Sequence, residues 1–168
     1  YSKSHGTAIA SLLVSKTYGV APDATLLTYR TRFEDEGEDA AAGCPVHNGN
    51  GIEENNSLIN RAISDGAQII SISSSDEDLD EATKWAIAHA NARGVMVVTA
   101  MGNTANNETD TGLAKWSGVV GVGAIDTTGK VASYSSWGQG TTTAAVGGPI
   151  IVHNYETGNK AAADGTSY

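Results

Sequence analysis

"AQIISISSSDEDLDEATKWAIAHANARGVMVVTAMGN" (67–103) decides the fold. Its two apolar runs, 69–73 and 95–101, are short, rich in Ile and Val, and bounded by turn-forming residues. They read as buried strands. The segment between them predicts a helix over 77–92. Ser75 or Asp76 can cap it, the acidic cluster complements the positive end of its dipole, and Gly94 ends it. A strand, a helix and a second strand in this order predict a parallel pair joined by a right-handed crossover. Each strand runs into a small polar turn, "SSSD" after the first and "GNTANN" after the second.

The pattern extends in both directions. Upstream, "SLINRAISDG" (57–66) places Leu58, Ile59, Ala62 and Ile63 on one helical face, with Gly66 as its stop. Further upstream, "HGTAIASLLVSK" (5–16) reads as a helix and "ATLLTYR" (24–30) as a strand. Downstream, "GVVGVGAI" (118–125) is another strand. The whole is an α/β fold, a mostly parallel sheet with helices on both faces. In such sheets ligands bind at the C-terminal ends of the strands, so the turns after 73 and 101 are where chemistry is expected.

Composition narrows the function. The 168 residues fit one domain, and 40% hydrophobic with 17% charged content fits a globular chain with a core. No apolar run approaches the roughly 20 residues that span a bilayer, and no signal peptide is visible. The net charge of −9 argues against nucleic acid, which needs clustered Lys and Arg. Cys44 is the single cysteine, so no internal disulfide forms. Residues 33–56 break the alternation. They hold seven of the 19 acidic residues and no Lys or Arg, and read as a solvated surface insertion.

Three residues carry candidate chemistry. Ser167 lies in the closing "GTSY", and a serine hydroxyl becomes a nucleophile only with a base in reach. His5 is the candidate base. Asn103, in the turn after the second buried strand, has an amide that could donate to a developing oxyanion. Other signals fail. "DTG" (110–112) follows polar "NNET" rather than an apolar strand. Cys44 and His47 have no second ligand pair for zinc. "GVGAID" has Asp126 where a dinucleotide loop needs its third glycine. Asn55 and Asn107 stand in glycosylation sequons. Trp85, Trp116 and Trp137 read as packing residues.

In order along the chain, these motifs resemble the subtilisin-like serine proteases, the subtilases. "HGTAIAS" (5–11) is similar to their catalytic-histidine motif, and "GVAPDATLL" (19–27) to the turn and strand after it. "TAMGN" (99–103) resembles the segment ending in the oxyanion asparagine. "KWSGVVGVGAID" (115–126) and "VASYSSWG" (131–138) resemble the next two strands, and "DGTSY" (164–168) the nucleophile motif. The resemblance implies a three-layer subtilisin-like fold, with His5 as general base, Ser167 as nucleophile and Asn103 beside the Ser167 N–H in the oxyanion hole. Ser73, Ser74 and Ser75 would line the primary specificity pocket and Gly102 would face them. It implies a serine endopeptidase acting on peptide or protein substrates, with no nucleic-acid or membrane partner, made with a propeptide and secreted.

The departures are specific. The family's aspartate lies upstream of the histidine, and the helix that starts at the nucleophile lies downstream. The expectation is therefore a partial catalytic domain over 1–168, incomplete at both ends. No cofactor is required. The family admits a structural calcium ion, but the usual tight-site insertion is absent after the histidine helix. Ser75 and Asp76 replace glycines common at the pocket edge, and Ser117 replaces a common proline, so pocket preference stays open. Two alternatives remain: an inactive subtilase-like domain that binds peptides, and a small-molecule-binding α/β domain, which would want a phosphate loop that the sequence lacks.

Overall fold

The computed structural model describes residues 5–29, 55–74, 80–107 and 112–168. Among these residues, three α-helices, α1 (His5–Val14), α2 (Asn55–Ser64) and α3 (Glu81–Ala92), and a short 3-10 turn (Leu113–Lys115) accompany six strands: β1 (Ile69–Ile72), β2 (Met96–Ala100), β3 (Val119–Ile125), β4 (Thr141–Val146), β5 (Ile150–His153) and β6 (Lys160–Ala163). The first four form one sheet in the order β1-β2-β3-β4, and every pairing in it is parallel. β5 and β6 form a separate antiparallel hairpin. The α/β class and the mostly parallel sheet read from the sequence are both present.

The core forms where helices cover the sheet. Ile59 of α2 and Ala86, Ile87 and Ala90 of α3 pack with Val97 of β2 and Val119 of β3. Each is nearly removed from water, and burial of an isoleucine or valine side chain stabilises by about 1.5–3 kcal/mol. α2 and α3 end alike. Gly66 and Gly94 take positive φ, and the next residues, Ala67 and Val95, donate back to Ala62 and Ala90. This is the Schellman arrangement, and it turns the chain directly into β1 and β2. At Gly121 any Cβ would meet the Gly140 carbonyl oxygen, with Met101 Sδ at 2.8 Å. Only glycine allows β3 to pass that close to the approach to β4.

Several expectations need correction. α3 begins at Glu81, capped by Asp80, whose carboxylate accepts the Thr83 N–H at 2.7 Å. Its buried stripe of Thr83, Ala86, Ile87 and Ala90 starts only there, so Asp80 takes the cap expected at Ser75 or Asp76. Residues 25–29 form no strand among the described residues, and Leu26 and Leu27 are exposed. An apolar run becomes a strand only where a neighbour supplies ladder partners. "VASYSSWG" is a turn with two isolated bridges, Ile125 to Val131 and Asn107 to Trp137. The fourth strand of the sheet is instead Thr141–Val146, exposed along its length. The insertion expected at 33–56 lies, apart from Asn55 and Asn56, outside the described residues, as do Cys44, His47, Ser75, Asp76 and Asp110.

α1 lies against the hairpin rather than against α2 and α3. The Ser11 hydroxyl donates to the Ala8 carbonyl at 2.7 Å and accepts the His153 N–H of β5 at 3.0 Å. Lys160 of β6 sits over the Tyr18 ring at 4.9 Å. The hairpin thus contacts the helix that begins at His5 on one side and runs into Asp164–Ser167 on the other.

Candidate active site

Three chain segments converge beyond the C-terminal ends of β1, β2 and β6. β1 runs into Ser73 and Ser74, β2 into Met101, Gly102 and Asn103, and β6 into Gly165, Thr166 and Ser167. Thr99, buried at the end of β2, holds the first two together. Its hydroxyl lies 3.1 Å from the Ile72 carbonyl and 3.2 Å from that of Ser74.

Ser167 and Ser73 are joined twice. The Ser73 hydroxyl donates to the Ser167 carbonyl at 2.9 Å, and the Ser167 hydroxyl donates to the Ser73 carbonyl at 3.3 Å. The second contact is long for an O–H···O bond, so it restrains the Ser167 hydroxyl only weakly. Ser74 Oγ is buried with no hydrogen-bond partner among the described residues, and Ser75 lies outside them.

Asn103 has one end of its amide fixed and the other open. Its Oδ1 accepts the Thr166 N–H at 2.8 Å and the Thr166 hydroxyl at 3.0 Å. A backbone N–H can only donate, so the oxygen must face Thr166 and Nδ2 must face away. Asn103 is exposed, and Nδ2 donates to no group among the described residues. The Thr166 hydroxyl also accepts the Gly102 N–H at 3.1 Å, while the Gly102 carbonyl accepts the Ser136 N–H at 3.0 Å. Both Gly102 backbone groups therefore face protein. The Ser167 N–H donates to no acceptor among the described residues.

His5 opens α1 with its ring half-buried. The imidazole meets the Tyr168 ring edge-on, centroids 5.6 Å apart and planes at 67°. His5 is thereby brought against the residue that follows Ser167. Burial lowers its pKa below the ordinary 6.5, which keeps the ring neutral, the form able to accept a proton. Among the described residues, no group of three or more His, Cys, Asp or Glu side chains could hold a metal ion.

Sequence reasoning gave no role to Thr166, although the Gly-Thr-Ser motif contained it. Tyr134 was also missed. Its hydroxyl donates to the Gly147 carbonyl at 2.8 Å and accepts the Gly165 N–H at 3.1 Å, two residues before Ser167.

The family model of the subtilases matches residues 1–168. The chain belongs to the subtilase family. This subtilase is 30% identical over 161 residues to a thermostable alkaline protease of Halalkalibacterium halodurans, covering 93% of the chain and 40% of that protein. It is 35% identical over 108 residues to the minor extracellular protease Vpr of Bacillus subtilis, covering 61% of the chain and 12% of that protein. Among solved structures it resembles a mutant of the protease domain of PatA, with a TM-score of 0.79 and 25% identity, covering 98% of this chain and 59% of that one. The self-cleaved protease domain of PatA matches at a TM-score of 0.78 and 26% identity, covering 98% and 62%. The subtilase chain thus spans less than half the length of the curated relatives it matches.

Proposed function

We propose that this protein is a serine endopeptidase that cuts peptide bonds through an acyl-enzyme on Ser167. His5 takes the proton from the Ser167 hydroxyl as Oγ attacks the scissile carbonyl carbon. The carbonyl oxygen becomes an oxyanion, and the Asn103 amide and the Ser167 N–H donate to it. The carbon–nitrogen bond then breaks and His5 returns the proton to the leaving amine. Water, deprotonated by the same imidazole, releases the acyl group and restores the serine. The nucleophile, base and donors are all protein groups, so these steps draw on no metal or cofactor.

One observation carries this reading: the Asn103 amide has its oxygen locked by Thr166, while its nitrogen lies near Gly165 and donates to no group among the described residues. A turn residue with no task would have no need of an amide fixed by two donors at this point. The neutral His5 beside Tyr168 adds support. Ser73 and Ser74, following β1, are the proposed edge for an extended substrate, with Ser75 and Gly102 completing the pocket.

The substrate is proposed to be a peptide or protein, and the protein is proposed to be made with a propeptide and exported. No helix among the described residues is long and apolar enough to cross a membrane. The test is covalent labelling of the full-length protein by a fluorophosphonate. Labelling is expected, with complete loss in Ser167→Ala and a fall of about 10²–10³ in rate in Asn103→Ala, the range seen when subtilisin loses one such donor. A full-length protein that stays unlabelled while binding peptides would instead establish the inactive, peptide-binding form.

A further inference from the structure

Tyr134 touches both halves of the proposed site. Its backbone carbonyl accepts the N–H of Ala105, two residues after Asn103, at 3.0 Å. Its phenol oxygen donates to the Gly147 carbonyl at 2.8 Å and accepts the N–H of Gly165 at 3.1 Å. The Gly165 N–H also donates to the Gly147 carbonyl at 2.8 Å, so the three groups close a small ring of hydrogen bonds.

The turn that presents Tyr134 is itself held firmly. The buried Ser136 hydroxyl accepts the Thr104 N–H at 3.2 Å, and the Trp137 N–H donates to the Asn106 carbonyl at 3.0 Å. Ser135, also buried, accepts the Ala124 N–H of β3 at 2.9 Å. Residues 134–137 are therefore registered against the Asn103 turn and against the sheet before the phenol reaches Gly165. Burial raises the Tyr134 pKa further above its ordinary 10.0, so the hydroxyl keeps the proton that it donates to Gly147.

We propose that Tyr134 is a positioning residue for acyl transfer, a strut whose carbonyl holds the Asn103 turn and whose phenol holds the segment that carries Ser167. The inference rests on the reading of Ser167 as nucleophile and Asn103 as oxyanion donor. Nucleophile and donor must keep a fixed spacing as the carbonyl becomes tetrahedral, because small misplacements cost large factors in rate. Tyr134 spans that spacing within one residue, without touching the reacting atoms.

The test compares wild-type full-length protein with Tyr134→Phe, which removes the hydroxyl alone. A fluorophosphonate probe is titrated to separate the maximal acylation rate from probe affinity, counting only molecules that can be labelled. Hydrogen exchange is followed in the peptide spanning 164–168. The expected result is a maximal rate lowered about tenfold or more, affinity within twofold of wild type, and faster exchange in that peptide. An unchanged rate overturns the assignment, as does unchanged exchange. A variant that fails to fold, or that loses only its labelled fraction, also overturns it by making the hydroxyl a general stability element. Wild-type protein that does not label overturns the protease reading and this inference together, whereas a labelled wild type with an equally fast variant overturns this inference alone.

Discussion

Thr166→Val isolates the bond that aims the Asn103 amide. Valine keeps the branched shape of a side chain only 5% exposed and removes nothing but the hydroxyl. That hydroxyl has two partners, Asn103 Oδ1 at 3.0 Å and the Gly102 N–H at 3.1 Å. Losing the first removes about 0.5–1.5 kcal/mol, and leaving the buried Gly102 N–H without an acceptor costs about 1–3 kcal/mol. Because one hydroxyl serves both, about 3 kcal/mol is the expected loss of folding stability, read as a lower urea midpoint at unchanged slope. The rate should fall less. The Thr166 backbone N–H still holds Oδ1 at 2.8 Å, so the amide keeps one anchor of two. A loss of about tenfold in acylation, about 1.4 kcal/mol, is expected, short of the 10²–10³ for a missing donor. Thr166→Ser retains the hydroxyl and should recover most of the rate. Valine and serine variants with equal rates would refute the claim that this hydroxyl orients Asn103, whatever happens to stability.

Two further outcomes follow from the helix that begins at His5. Ser11→Ala should lower stability by about 1–2 kcal/mol in denaturant unfolding, because the His153 N–H loses its acceptor at 3.0 Å; an unchanged midpoint would show that α1 does not need this tie to the hairpin. In residues 1–168, NMR titration of His5 should give a midpoint below 6.5, since burial disfavours the charged ring. Between that midpoint and 6.5 the unfolded chain binds a proton that the folded imidazole refuses, so stability falls as pH drops through this window and levels off beneath it. A carboxylate neighbour in a longer chain would move the midpoint up, and a midpoint above 6.5 in residues 1–168 would refute burial as the dominant influence.

The strands that sequence made legible are the apolar runs, although β1 is less buried than the sequence reading expected: Ile69 is 63% exposed, and the strand alternates between exposed and half-buried residues. "VMVVTAM" is largely buried and "AQIISIS" only in part, and their parallel pairing follows from the helix between them. Thr141–Val146 carries no such mark. It lies at one edge of the sheet, exposed, and is specified by its pairing to β3 through residues such as Val122 and Thr143. The Lys160–Ala163 strand is short and alanine-rich and takes its form from Ile150–His153. At the site, motif order singled out His5, Asn103 and Ser167 because their chemistry belongs to their side-chain types. The supporting contacts were hidden for a different reason. Thr166 and Tyr134 act through bonds across separations of 63 and 31 residues, and no local pattern records such partners.

The locked amide of Asn103 also bears on how the molecule ages. Asparagine loses its amide when the backbone nitrogen of the next residue attacks the side-chain carbonyl carbon. Here that nitrogen belongs to Thr104, and its N–H is directed to the Ser136 hydroxyl at 3.2 Å. The carbonyl it would attack is held toward Thr166 by two donors. Ring closure would have to break both arrangements at once, and the next residue is a stiff, branched threonine rather than a glycine. Asn48 and Asn50, each followed by glycine, have no such branched neighbour in the sequence. Conversion of Asn103 to aspartate would exchange the amide donor for a negative charge at the oxyanion site proposed above. The contacts that aim the amide therefore also guard it against spontaneous loss, which would remove the donor proposed for the oxyanion.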